Sequence, residues 1–345
     1  MEKNQFRRDP VTGRWAIILS NDLDIEDLVG ADQKTRRKRK QNVSKYCAGF
    51  EAETPPEIFA IRDEGTQRNE PGWKVRVLPY TQPFIQIHGD LNNRGIGLYD
   101  VIDGIGAHEL VIESPHPGED IHDMSPEQVQ NVLLAYRARI LDLKRDTRFR
   151  YVMVHKNYGE REGELKDHAH SHIIATPITP ARVKVELLNA MEHYKYKERC
   201  LFCDIIFQEL SDDERVITQN EQFVAVSPFA SRAPFSVWIL PKKHETFFEW
   251  NSEYRHLAKI LQQVLVKIKH ILSDPPFVMA LHTGPNMIKG QHRGYWKSLE
   301  KDYHWYFEIT PRFRTYTSFE IGSGFQVNAV SPERATKILK NTNID

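Results

Sequence analysis

One ordered run of elements occurs twice in this chain, and the recurrence limits the folds open to it. In the first half the strand-like "HELVIESPH" ends in His116, a helix follows over 125–146, and "YVMVHKN" and "HAHSHII" close the run. In the second half "VWILPKKH" ends in His244, a helix follows over 252–274, and "FVMALHT" and "HWYFEI" close it. The two series are offset by roughly 130 to 140 residues, and a recurrence at one period marks a duplicated unit. Each helix opens at a serine and carries apolar residues at helical spacing. The spacing predicts two modules, residues 1–185 and residues 186–345.

Composition narrows the class. Lys plus Arg and Asp plus Glu both number 47, so no net charge points to nucleic acid or an anionic membrane as the main partner. No apolar run approaches the ~18 residues that span a bilayer, and the opening "MEKNQFRRDPVTGRW" has no apolar core of a secretory signal. Three cysteines, two of them in one C-x-x-C, fit a reducing compartment better than a disulfide framework, so a cytoplasmic protein is expected. The basic run "KTRRKRKQ" (34–41) reads as a solvated loop.

The C-x-x-C of "RCLFCDII" supplies Cys200 and Cys203, a spacing that lets two thiolates share one tetrahedral Zn²⁺. The second half offers His244 and His304 as the other two ligands, a closed structural set. By the repeat, the equivalent residues of the first half are His116, His168 and Cys47, with Ser44 where the other cysteine would stand. Serine is a weak zinc ligand, so a first-half site is either lost or held by three protein ligands.

His168, His170 and His172 alternate in "KDHAHSHII", so in a strand they would share one face. The second half has Tyr306 and Glu308 opposite His170 and His172, which places catalysis in the first half. A neutral imidazole attacks phosphorus well near neutral pH, which makes His170 the candidate nucleophile with His168 and His172 beside it. Gly159 and Gly163 precede the row and would let backbone amides approach phosphate oxygens. Two other uses of these residues stay open. The three histidines could hold a metal that activates water, or the chain could bind a nucleotide without turning it over.

The chain resembles the galactose-1-phosphate uridylyltransferase family, the transferase branch of the histidine-triad superfamily. The resemblance rests on "RRDPVTGRW", "CAGFEAETPPE", "HELVIESPHP", "HKNYGEREG" before "HAHSH", "PFASRAPFSVWILPKKH", "ITPR" and "SFEIGSGFQVNAVSPE", in order and nearly end to end. It implies an α+β fold of two fused histidine-triad modules, each a mixed, mostly antiparallel sheet with flanking helices, and commonly a dimer. It implies ping-pong transfer of a nucleoside monophosphate from a nucleoside diphosphate sugar through His170 to a phosphate or sugar phosphate. It places Asn157 near the phosphates, and Glu320, Gln326 and Asn328 in a closing segment that reaches substrate. The chain departs from the family's H-x-H-x-Q at His172, as in the hydrolase branch, and has Leu165 and Tyr80 where the family has a serine and an asparagine. Lys166 would then restore some of the lost phosphate contact. The departures leave base, sugar and acceptor open, with phosphorolysis, hydrolysis or transfer to a sugar phosphate as the alternatives.

Overall fold

The computed structural model describes residues 3–21, 23–33, 44–159, 168–287 and 296–343. The basic run at 34–41 lies outside them. The first part holds β1 (Gln5–Arg8), β2 (Trp15–Ile18), α1 (Ile25–Gln33), β3 (Phe59–Arg62) and β4 (Trp73–Pro79). A hairpin of β5 (Arg94–Ile96) and β6 (Tyr99–Val101) leads to β7 (Ala107–Ile112), α2 (Pro126–Leu143), β8 (Tyr151–Tyr158) and β9 (His170–Thr176). After α3 (Ala181–Lys197) and α4 (Leu201–Asp212) come β10 (Val216–Gln219), β11 (Phe223–Val226) and β12 (Val237–Pro241). The series then repeats as α5 (Tyr254–Ile271), β13 (Phe277–His282), α6 (Leu299–Asp302) and β14 (Tyr306–Pro311). The chain closes with α7 (Ser318–Ser323), β15 (Gln326–Asn328) and α8 (Pro332–Lys340).

Ten strands form one antiparallel sheet in the order β10-β11-β12-β14-β13-β8-β9-β7-β4-β3. The order is the duplication drawn in space. From the centre outward, β8-β9-β7-β4-β3 mirrors β13-β14-β12-β11-β10. The halves meet where β8 pairs with β13, from Phe277↔Tyr158 to Leu281↔Val154. The architecture is therefore α+β, with a large antiparallel sheet and flanking helices. The boundary expected at residue 185 falls inside α3.

Strand alternation divides the side chains between the two faces. Val152, Val154 and Ile173 of the first half, and Met279, Phe307 and Ile309 of the second, point to one face and are buried there. The paired helices α2 and α5 cover that face with Val129, Val132, Leu133, Leu257, Leu261 and Val264. Ser125 caps α2 by accepting from the Gln128 amide at 3.1 Å, with Pro126 in the first turn. The expected Ser252 start of α5 is displaced: Glu253 is the capping residue and Asn251 accepts from its amide at 3.0 Å.

The opposite face differs between the halves. Over the second half, α3 and α4 bury Val183, Leu187, Leu201, Phe202 and Ile206 against Val224, Trp238, Leu240 and Tyr306. Over the first half that face carries the histidines. No helix among the described residues is long and apolar enough to cross a membrane.

Candidate active site

The sheet assembles more imidazoles than the sequence row contains. β9 lies between β7 and β8, with His172 opposite Leu110 on one side and His155 on the other. The His172 ring stacks on His155, with centroids 5.2 Å apart and planes at 15°. Its Nδ1 lies 3.0 Å from His108 Nε2, and Tyr80 packs edge-on at 5.2 Å. His170 is the next residue along the same face, its centroid 5.3 Å from that of His172. His168 precedes β9 and turns elsewhere.

His170 is 4% exposed, and its Nδ1–H donates to the His168 carbonyl at 2.7 Å. That bond fixes the tautomer: a neutral ring carries its lone pair on Nε2. His168 Nε2–H donates to the Ser114 carbonyl at 2.7 Å. Its Nδ1 faces Ser44 Oγ at 3.2 Å and Cys47 Sγ at 3.8 Å. So the peptide of one histidine orients the ring of the next.

Sequence reasoning missed His108 and His155. Both lie on strands flanking β9, and only the register shows that they meet His172. Burial pushes the His155 ring down to about 4 from 6.5 and holds it neutral. In the unfolded chain the ring takes its proton near 6.5, so between that pH and 4 the unfolded state binds more protons. Stability is therefore flat above pH 6.5 and lost as pH falls toward 4. Unfolding by urea at pH 7 and 4.5 should show wild type losing about 2 kcal/mol more than His155→Phe, which has no ring to protonate.

Asn157 follows His155 on the same face of β8. Both residues, with Ile174 of β9, line a cavity of about 530 Å³ that extends over the central strands. Arg182, Arg232 and Arg312 also line it, with Trp238, Glu308 and Tyr316. Gly159, just beyond Asn157, has φ +89° and an added Cβ would sit 3.0 Å from Pro276, so glycine is required there. Gly163 and Lys166 lie outside the described residues.

The closing segment is absorbed by its own loop. Glu320 receives both Arg314 Nη atoms at 2.6 and 2.7 Å, and the amides of Thr317 and Val327 at 2.9 and 3.0 Å. The Arg314 hydrogen bond leads in holding its carboxyl down at about 2. Asn328 donates to the Ser231 carbonyl at 3.1 Å and accepts from the Val330 amide at 3.0 Å. Gln326 is half-buried on β15. None of the three is among the residues that line the cavity, and neither are His168, His170 and His172.

The candidate metal ligands of the second half converge. One donor atom from each of Cys200, Cys203, His244 and His304 lies within 4.8 Å of the others. Cys200 caps the start of α4, which brings Cys203 into its first turn. Cys203 Sγ is 3.4 Å from His244 Nδ1 and 3.8 Å from His304 Nδ1. The outer nitrogens of both rings are held by carbonyls, His244 Nε2 by Glu300 at 3.0 Å and His304 Nε2 by Pro241 at 2.9 Å. These bonds aim both Nδ1 lone pairs at the thiols, the outer support that metal-bound histidines use. The hydrogen bond between the two thiols pulls Cys203 down and pushes Cys200 up. In the first half Cys47 and His168 adjoin, but among the described residues they form no cluster of three donors with His116.

Residues 186–340 match the family described as "Galactose-1-phosphate uridyl transferase, C-terminal domain", and residues 96–177 match "Domain of unknown function (DUF4931) N-terminal domain". A crystallised GalT-like protein from Arabidopsis thaliana is 30% identical over 99% of this chain and all of its own, with a TM-score of 0.81. A crystal structure of an ADP-glucose phosphorylase from Arabidopsis thaliana with bound ADP-glucose is 28% identical, covers 100% of both chains and also has a TM-score of 0.81. The galactose-1-phosphate uridylyltransferase of Thermotoga maritima is 25% identical over 99% of each chain. With one ten-stranded sheet, a histidine row at its middle and relatives that align from end to end, the chain belongs to the galactose-1-phosphate uridylyltransferase family.

Proposed function

We propose that the protein is a nucleotidyltransferase that takes a nucleoside monophosphate from a nucleoside diphosphate sugar and passes it to phosphate. The observation that carries this is the 2.7 Å bond from His170 Nδ1–H to the His168 carbonyl, which leaves the lone pair on Nε2. In the first half-reaction Nε2 attacks the α-phosphorus. The bond from that phosphorus to the bridging oxygen breaks, and sugar 1-phosphate leaves. The ring becomes positively charged, and the His168 carbonyl stabilises that charge through Nδ1–H. In the second half-reaction a phosphate oxygen attacks the same phosphorus and the N–P bond breaks, releasing a nucleoside diphosphate and the neutral ring. Asn157 and the arginines at the cavity wall would supply donors for the phosphates, and the His172 ring lies 5.3 Å from that of His170.

Phosphate is favoured as acceptor by the full-length similarity to an ADP-glucose phosphorylase and by His172, which replaces the glutamine of the transferase row. A sugar phosphate acceptor is the second reading, favoured by the C-terminal family match. Cys200, Cys203, His244 and His304 fit Zn²⁺, since two thiols and two imidazoles with no carboxylate make a closed tetrahedral set. The ion would tie α4 to the ends of β12 and β14, and no chemical step passes through it. The same proposal includes a cytoplasmic setting, which suits three free thiols. It also includes a homodimer, for which the exposed Ile96, Leu98 and Tyr99 of the β5–β6 hairpin offer apolar surface.

Brief mixing with ADP-glucose or UDP-glucose, quenching and peptide mass analysis tests the function. One AMP on the peptide containing His170, discharged as ADP when phosphate is added, is expected. UMP transfer instead, discharged by a sugar phosphate, would select the second reading. No adduct from either donor would overturn the covalent mechanism.

A further inference from the structure

Beneath β8 and β9, on the side of the sheet away from the histidines, lies a polar group that the transfer chemistry does not use. Lys156, Glu113 and Asp120 are each 0% exposed. The Lys156 ammonium sits 2.7 Å from Glu113 and 3.1 Å from Asp120. Tyr136 donates to Glu113 at 3.1 Å, and the Ser171 hydroxyl bonds to the same carboxylate. Burial raises Glu113 against the pull of Lys156. Taking such charges out of water costs about as much as their attraction returns, so stability is a weak reason for the cluster.

Its connections to β9 suggest a stronger one. Lys156 Nζ also donates to the backbone carbonyl of His170, at 3.2 Å. The Glu113 amide donates to the Ala169 carbonyl at 3.1 Å. With Ser171 on the Glu113 carboxylate, three consecutive residues around His170 are tied to one buried cluster. The place matters. The β8–β9 pairing runs from Tyr151↔Thr176 and ends at His155↔His172. His170 lies beyond that last pair, where β9 stays paired with β7 at Ile112 but has left β8, and there the ammonium grips the strand from below.

We propose that Lys156 is a positioning residue for the nucleophile, holding the His170 peptide against the Glu113–Asp120 pair and so fixing the ring above it. The proposal rests on His170 as the attacking group. Small displacements of a reacting atom cost rate more than binding, and an error of ~1 Å can cost ~100-fold. Lys156→Met should therefore lower kcat at least ~10-fold and slow both half-reactions, while KM for the nucleotide sugar moves less than ~3-fold.

Lys144 gives a matched control. Its buried ammonium binds Glu249 at 2.5 Å and the Gly284 carbonyl at 2.8 Å, a similar arrangement on a different carbonyl. Lys144→Met should lose stability and keep kcat per folded molecule. Equal kcat in Lys156→Met and Lys144→Met, or a rise in KM alone, would overturn the proposal. If Lys156→Met does not fold, combining it with Glu113→Gln and Asp120→Asn removes both stranded carboxylates, and the same loss of kcat is expected. Wild-type rate in that triple variant would also overturn it. Nitrogen-15 NMR of the His170 ring separates this test from the function itself. Wild type should show one Nδ1–H tautomer and the Lys156 variant a mixture, even if no adduct forms from any donor, and identical spectra would refute the grip.

Discussion

His170→Ala should stop transfer, with turnover at least ~10⁴-fold below wild type and no nucleotide on the protein after quenching. The size follows from the mechanism. A nucleophile that forms the covalent intermediate has no partial substitute, because the two half-reactions share one nitrogen. The variant should still fold, since the ring lies on the face of the sheet opposite the α2–α5 core and its Nδ1–H bonds a carbonyl of its own segment. It should also still bind the nucleotide sugar, measured by calorimetry with the donor alone. If His170→Ala keeps turnover and a chelator removes it, the histidines hold a metal-activated water instead. If wild type binds nucleotide and never turns it over, the chain is a binder.

Loss of the Zn²⁺ proposed for the Cys200–Cys203–His244–His304 cluster should have the next largest effect, on folding. Cys203→Ala should lower bound zinc by one equivalent per chain, read by atomic emission on dialysed protein. Ion binding by a structural site of this type contributes on the order of 10 kcal/mol to the folded state. The packing of α4 offsets part of that loss, so a fall in Tm of roughly 10 °C or more is expected. The burial of Phe202 against Tyr303 and Tyr306 keeps α4 in place without the ion. Wild-type Tm and full zinc content in Cys203→Ala would remove the site.

The parts of this molecule that a reader of the sequence can reach are those written in local spacing. The doubled order of strands and helices predicts the doubled sheet because each element carries its own period. Cys200 and Cys203 announce themselves by their spacing, and the repeat points to His244 and His304. What escapes is set by register between distant strands. His108 and His155 look like ordinary strand residues until β7, β9 and β8 are laid side by side. Lys156, inside "HKN", carries no signal in its spacing, because its burial depends on Glu113 and Asp120 arriving from beyond β7. Glu320 shows another limit of spacing. The family likeness assigns it to substrate, and what the sequence does not show is that Arg314 and two amides of its own loop also bind its carboxylate. A motif names a residue's type and place, but its hydrogen-bonding capacity is spent by neighbours the motif does not contain.

The seam between β8 and β13 has a consequence for the chain's ancestry. Two equivalent strands pair antiparallel there, the arrangement that a pair of identical modules would make across a twofold axis. A single module would expose that strand as a raw edge and would be driven to pair with its own copy. The fused chain is thus the covalent form of a self-complementary dimer. Joined in one chain, the two halves need not match, and one carries the histidine row on the face that the other closes under α3 and α4.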